Sequence, residues 1–110
     1  MKSIALLSAA DASVTVTSTP VDLGDMVNFS CQVLFSSGTL AGTLKLTASN
    51  DNVNYTDVTG SSQVIAAGAS HVWNVVNATY RYSKIVWTPS AGTGTITANA
   101  LIKEIQIKGA

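Results

Sequence analysis

A chain of 110 residues has the length of one ordinary domain. Six basic residues balance six acidic ones and only 11% of positions are charged, which excludes a cationic surface built to grip a phosphate backbone. Hydrophobic residues make up 46% and the mean hydropathy is +0.31, so intrinsic disorder is excluded too, and folding a chain of this size buries about 65% of its unfolded surface, enough for one core without staples.

The chain opens with Met1–Ala12, which combines a positive residue, an apolar run and an Ala-Asp-Ala site. It is shorter than the roughly 15–30 residues of a secretory leader, so it is expected to be retained. Ile4–Ala12 is the only stretch with a trace of helical period. Ile4, Leu6 and Leu7 make residues 1–11 apolar but too short for a core of their own, so this segment is expected to act as an extended arm docking on a neighbour. Ser13–Thr19, with Val14 and Val16 alternating with Thr, reads as a strand ended by Pro20. Asp25–Phe35 is the strongest strand signal: Val27, Phe29, Cys31, Val33 and Phe35 share one face, with Asn28, Ser30 and Gln32 on the other.

Ser36–Gly42 supplies loop residues, and Thr43–Ser49 alternates again with Leu44, Leu46 and Ala48 inward. Ser49–Asn54 is dense in side chains that bond their own backbone, which makes it a turn. Tyr55–Val58 and Gln63–Ala66 read as short strands. His71–Val76 and Tyr80–Thr88 follow, rich in β-branched and aromatic residues and joined by Asn77-Ala78-Thr79 as a hairpin. Pro89–Gly94 breaks the pattern. Thr95–Lys108 closes the chain, with Ile96, Ala98, Ala100 and Ile102 on one face and Ile105 and Ile107 on the opposite parity. A phase slip near Lys103-Glu104 accounts for that change. About seven to nine short strands without a helix predict one all-β domain over residues 1–110, an antiparallel β-sandwich of jelly-roll or immunoglobulin-like type.

Chemistry is thin. His71 is the only histidine and Cys31 the only cysteine, so no second residue of either kind stands ready to build a site and no cysteine-based zinc site can form within the chain; His71, beginning a strand next to Trp73, reads as structural or surface. The scattered carboxylates show no paired acid and base. The chain is therefore read as a non-enzyme with no cofactor. Cys31, among apolar neighbours in its strand, reads as a small core residue. Asn50, Asp51, Asn52, Asn54 and Asp57 bring oxygen-bearing side chains close in sequence, as a calcium loop would, although an Asx-rich turn explains the same residues. Trp73, Tyr80, Tyr82 and Trp87 would offer stacking platforms for sugar rings, or anchors for a partner protein, if exposed in a row. Core packing of the tryptophans is the competing reading. Three Asn-x-Ser/Thr sequences, at Asn28, Asn54 and Asn77, read as chance in a chain rich in these residues.

The segment from Gly42 to Val58, with Ser49-Asn50-Asp51-Asn52 between two strands and Asn54-Tyr55-Thr56 after it, resembles a hairpin of small β-sandwich proteins in bacteriophage particles. Tyr82–Thr97, an aromatic strand leading through Thr-Pro-Ser-Ala-Gly-Thr-Gly into a last strand, fits the same pattern. A related Ser-Asn-Asp hairpin occurs in discoidin-like domains, which are longer and usually carry cysteines. The resemblance covers roughly residues 40–105 and brings no catalytic residues. It implies a virion structural protein, a capsid decoration, minor capsid or tail-associated subunit, assembled in the host cytoplasm. It would work as a symmetric homo-oligomer in contact with a major capsid or tail protein, without nucleic acid and without a membrane span. Ile4, Leu6, Leu7, Ile105 and Ile107 are the expected contact residues. The alternative is a carbohydrate-binding module of a host-recognition device, holding a surface glycan on Trp73, Tyr80, Tyr82 or Trp87.

Overall fold

A computed structural model describes residues 2–24, 26, 28–76 and 78–103, and among them there are ten strands and no helix. They are β1 (Lys2–Asp11), β2 (Val16–Thr17), β3 (Val21–Asp22), β4 (Asn28–Phe35), β5 (Ala41–Ser49), β6 (Thr56–Asp57), β7 (Gln63–Ile65), β8 (His71–Val75), β9 (Tyr82–Ala91) and β10 (Thr95–Lys103). One sheet, here sheet A, runs β1-β10-β4-β8. In the other, sheet B, β9 pairs β5 at the centre. Short β2 and β3 lie in tandem along β9, and β6 and β7 in tandem along β5. Each tandem pair acts as one broken strand, so both sheets are four strands wide. This order is the jelly roll, which decides between the two sandwich types expected.

Every pairing is antiparallel, but sequence neighbours rarely pair. The hairpin expected between the eighth and ninth strands does not form: β8 pairs β4 in sheet A and β9 pairs β5 in sheet B, so the link between them crosses the sandwich. The apparent break at Pro89 is also corrected, because β9 continues through it to Ala91. Gly42 faces Pro89 and Ala41 faces Ala91, leaving Ser90 as the extra residue of a bulge, one of the few sheet positions where proline is tolerated. Residues 2–11, expected as a free arm, are instead a strand of this chain's own sheet, paired along β10 and bulged twice, with Ala9 at φ 48°. Leu6 is buried, and Ile4, Leu7 and Ala10 pack on the core. A strand partner satisfies the backbone groups that an isolated arm would leave to solvent.

The inner faces follow the period of two. Phe29, Cys31 and Val33 from β4, Leu44 and Leu46 from β5, Ile85 and Trp87 from β9, and Ile96, Ala98, Ala100 and Ile102 from β10 form a single buried cluster. Trp87 is its largest member and is fully buried. It tilts against Phe35, ring centroids 4.8 Å apart, and its Nε1–H donates to Ala12 O at 2.8 Å. Gly42 makes room for it: a Cβ there would lie 2.7 Å from the Trp87 ring.

The two broken edges of sheet B are closed by serines. Ser18 sits between β2 and β3, and its Oγ accepts the Ile85 N–H at 2.9 Å where a strand carbonyl is missing. Ser61 sits between β6 and β7, and its Oγ accepts the Leu46 N–H at 3.0 Å while donating to Val58 O at 2.7 Å. Both serines are buried, where an unmet backbone N–H would be costly.

Candidate contact surfaces

The outward positions of sheet A form cross-strand rows. Pairing places Ala5, Asn99, Gln32 and Val72 in one row and Ser3, Leu101, Ser30 and Asn74 in the next, with Thr97 opposite Leu34 beyond them. None of these side chains is charged. They line a shallow depression around Ser3, Ser30, Gln32, Val72 and Asn99. Val72 and Leu34 stand exposed at 55% and 43%, far more than a core-facing position allows. Asn99 Oδ1 is buried with no hydrogen-bond partner among the described residues. No aromatic ring lies in these rows.

The outward positions of sheet B carry charge. Asp22 at the end of β3 meets Arg81 through two contacts, 3.0 Å to Nε and 3.3 Å to Nη2. Lys45 pairs with Asp57 at 3.0 Å. The Arg81 guanidinium lies 5.1 Å from the Tyr82 ring centre and the Lys84 ammonium 4.4 Å from that of Tyr55, so cations cover the aromatic faces a sugar would need. Pairs this exposed contribute little stability, but they give the face fixed charges and bound rings.

The residues singled out from sequence fall in different places. Trp73 and Trp87 are buried, which corrects their reading as surface platforms. Each indole turns inward because its N–H finds a carbonyl there, Trp73 Nε1 donating to Ser61 O at 2.9 Å and Trp87 to Ala12. Tyr80 and Tyr82 are half-buried, Tyr80 standing edge-on to Phe29 at 6.4 Å. Burial of the two indoles breaks the row of four rings. Leu6 is likewise core rather than contact surface, and Ile4 and Leu7 are half-buried against it. Ile105 and Ile107 lie outside the described residues.

The Asn50–Asp57 stretch is a hydrogen-bonded turn. Asp51 Oδ1 accepts from Val53 N at 2.9 Å, Asn54 N at 2.8 Å and Ser49 Oγ at 2.8 Å, while its Oδ2 accepts from Asn54 Nδ2 at 2.9 Å. These bonds, led by the Asn54 amide, hold its carboxyl well below the usual carboxylate range. Asn52 takes a left-handed φ of 61°, which asparagine tolerates, and accepts from the Tyr55 hydroxyl. Asp51 is thus engaged within the turn and Asp57 is turned to Lys45, so the metal candidates Asn50, Asp51, Asn52 and Asp57 are arranged as an Asx-rich turn. Among the described residues no three His, Cys, Asp or Glu side chains gather as metal ligands.

His71 is half-buried at the start of β8, edge-on to Trp73 with ring centroids 4.8 Å apart, and burial lowers its pKa. Cys31 is fully buried, and burial pushes its thiol up to about 12. The uncharged rows of sheet A were missed from sequence. Their signal was present, since Ser3, Ala5, Ser30, Gln32, Val72, Asn74, Asn99 and Leu101 are all neutral, but it becomes a surface only when the strand order is known.

The fold defines a class: jelly-roll sandwiches of two antiparallel sheets, each four strands wide. No family model and no curated protein sequence matches the chain. Among solved structures it is similar to the SPBc2 prophage-derived protein YomS, at a TM-score of 0.66 and 15% identity over 93% of this chain and 92% of that one. It is similar also to the PBSX exported protein XepA, at a TM-score of 0.69 and 16% identity over 99% of this chain, which spans 40% of that longer one. The N-terminal cellulose-binding domain of Cellulomonas fimi β-1,4-glucanase C shares the fold at a TM-score of 0.51 and 11% identity, over 96% of this chain and 82% of that one. The expected likeness to small phage β-sandwiches thus holds in the fold. No helix among the described residues is long and apolar enough to cross a membrane.

Proposed function

We propose that this chain is a non-enzymatic structural protein of a bacteriophage particle, acting by contact with other virion proteins as a capsid decoration, minor capsid or tail-associated subunit. The observation that carries the reading is the pair of uncharged rows at the centre of sheet A's outer face. Their amides, hydroxyls and small aliphatic groups lose little on desolvation when each polar group finds a partner, whereas buried charges would lose much. A face of this kind suits close packing against another protein surface, and association in turn stabilises each copy by mass action. The fold similarity to a prophage-derived protein supports the phage setting. Neutral overall charge suits a position away from the packaged genome.

The test is direct. Particles purified on a density gradient from a strain that encodes the chain are probed with an antibody against it. The chain is expected to band with the particles at fixed stoichiometry, and substitution of Gln32→Lys in the centre of the face is expected to release it. A chain that stays at the top of the gradient overturns the proposal.

A second reading, a carbohydrate-binding module, is favoured by the similarity to a cellulose-binding domain. Against it, the outer rows of sheet A hold no ring, and on sheet B Tyr82 and Tyr55 lie beneath cations. Retention of the full chain on cellulose or on a glycan array would establish this reading, and a clean negative would remove it.

A further inference from the structure

A sheet edge is a row of unpaired backbone donors and acceptors, and soluble proteins blunt such edges with charges, bulges, proline or very short strands. Three of the four edges here are blunted. The β1 edge is bulged at two places and bends through Ala9. The β2–β3 edge consists of two-residue strands separated by Pro20 and carries Asp22. The β6–β7 edge is equally broken, around Gly60, and carries Asp57.

The β8 edge has none of these devices. From His71 to Val75 it pairs with β4 in unbroken register, and it is hydrogen-bonded to no other described strand. Ser70–Val76 contains no charged residue, no proline and no glycine. Trp73 anchors the strand from the inner side, while Asn74 is exposed between Val72 at 55% and Val76 at 61%.

We propose that β8 pairs with β8 of a second copy of this chain, antiparallel across a two-fold axis, joining the two A sheets into one continuous sheet. Two features on this edge select a second copy as the occupant. Across a two-fold axis residue i meets j and j meets i, so the residue on the axis meets its own counterpart and must be uncharged, and like charges paired about it would repel; among the described residues β8 is the only one of the four edges with no charged residue at all. The three exposed residues of this stretch are also symmetric about Asn74: Val72 of one copy falls opposite Val76 of the other, pairing the two exposed valines, and Asn74 meets Asn74. The joined sheet would carry the uncharged rows across both copies. The inference stands on the edge itself and does not depend on the particle reading.

Light scattering on the purified full chain, from micromolar to millimolar concentration, tests it. The expected mass is twice the 11.3 kDa of one chain. Asn74→Lys and Asn74→Asp each place like charges face to face and are expected to give the single-chain mass, with an unchanged far-ultraviolet spectrum. Mixing the two variants is expected to restore the double mass, because Lys then meets Asp. Val76→Lys, outside the strand proper, guards against a folding defect at position 74 and is expected to give single chains as well. A wild-type chain that stays single at all concentrations overturns the proposal. So does an assembly untouched by Asn74→Lys, or a variant mixture that fails to reassociate. Gln32→Lys, on the face and away from the edge, is expected to leave the double mass intact, so failure of the face and failure of the edge are told apart.

Discussion

The two sheets are built from the same alternating sequence pattern and end up with opposite surfaces. Sheet B has two broken edges, closes them with serine hydroxyls, and displays ion pairs and cation-covered rings outward. Sheet A has longer strands, two uncharged rows at the centre of its outer face and, among the described residues, an edge left open at β8. Inward residues make both sheets alike because one core must be filled. Outward residues are free of that demand, and there the sheets diverge. The difference teaches that in a sandwich, surface character is assigned sheet by sheet and edge by edge.

The comparison breaks most severely if β1 is removed. Deleting residues 1–10 takes Leu6 from the core and strips β10 of one of its two partners, so the expected outcome is an unfolded chain by circular dichroism. A folded product would show that sheet A needs only three strands. Sheet B is next. Ser61→Ala leaves the Leu46 N–H buried without an acceptor and is expected to cost about 1–3 kcal/mol in denaturant unfolding. Ser18→Ala should do the same through Ile85, and a negligible effect of both would mean that water replaces the hydroxyls.

A smaller effect probes sheet A through pH. Above about pH 6.5 His71 is neutral whether the chain is folded or not. Below it the unfolded imidazole takes up a proton that the folded one, with its lowered pKa, resists. Stability is therefore expected to decline as pH falls through that value and to level off once the folded imidazole is also protonated. His71→Gln should flatten this part of the profile. The smallest effect belongs to the outer pairs of sheet B: Asp57→Ala is expected to change unfolding by less than about 1 kcal/mol, and less still in high salt.

Much of the fold was legible because the period of two is enforced by burial. Phe29, Cys31 and Val33, and Ile96 through Ile102, take the faces that alternation assigns them. Partner choice was not legible. Asn77-Ala78-Thr79 has the look of a hairpin turn, yet the chain crosses to the other sheet, since turn chemistry is local and jelly-roll pairing is long-range. The run at Ile4–Leu7 was misjudged for the same reason, its partner strand lying about ninety residues away. The aromatic residues were ambiguous because an indole serves equally as core filler and as surface platform. What settles Trp73 and Trp87 is a backbone carbonyl within reach, at Ser61 and Ala12, and no local pattern announces that.

Cys31, locked between the sheets with its thiol held protonated, has a practical consequence. A maleimide or an aromatic disulfide reagent can reach the sulfur only when the sandwich comes apart, so the labelling rate counts opening events of the native molecule. While the sandwich stays closed, two copies cannot be stapled to one another through this sulfur by oxidation.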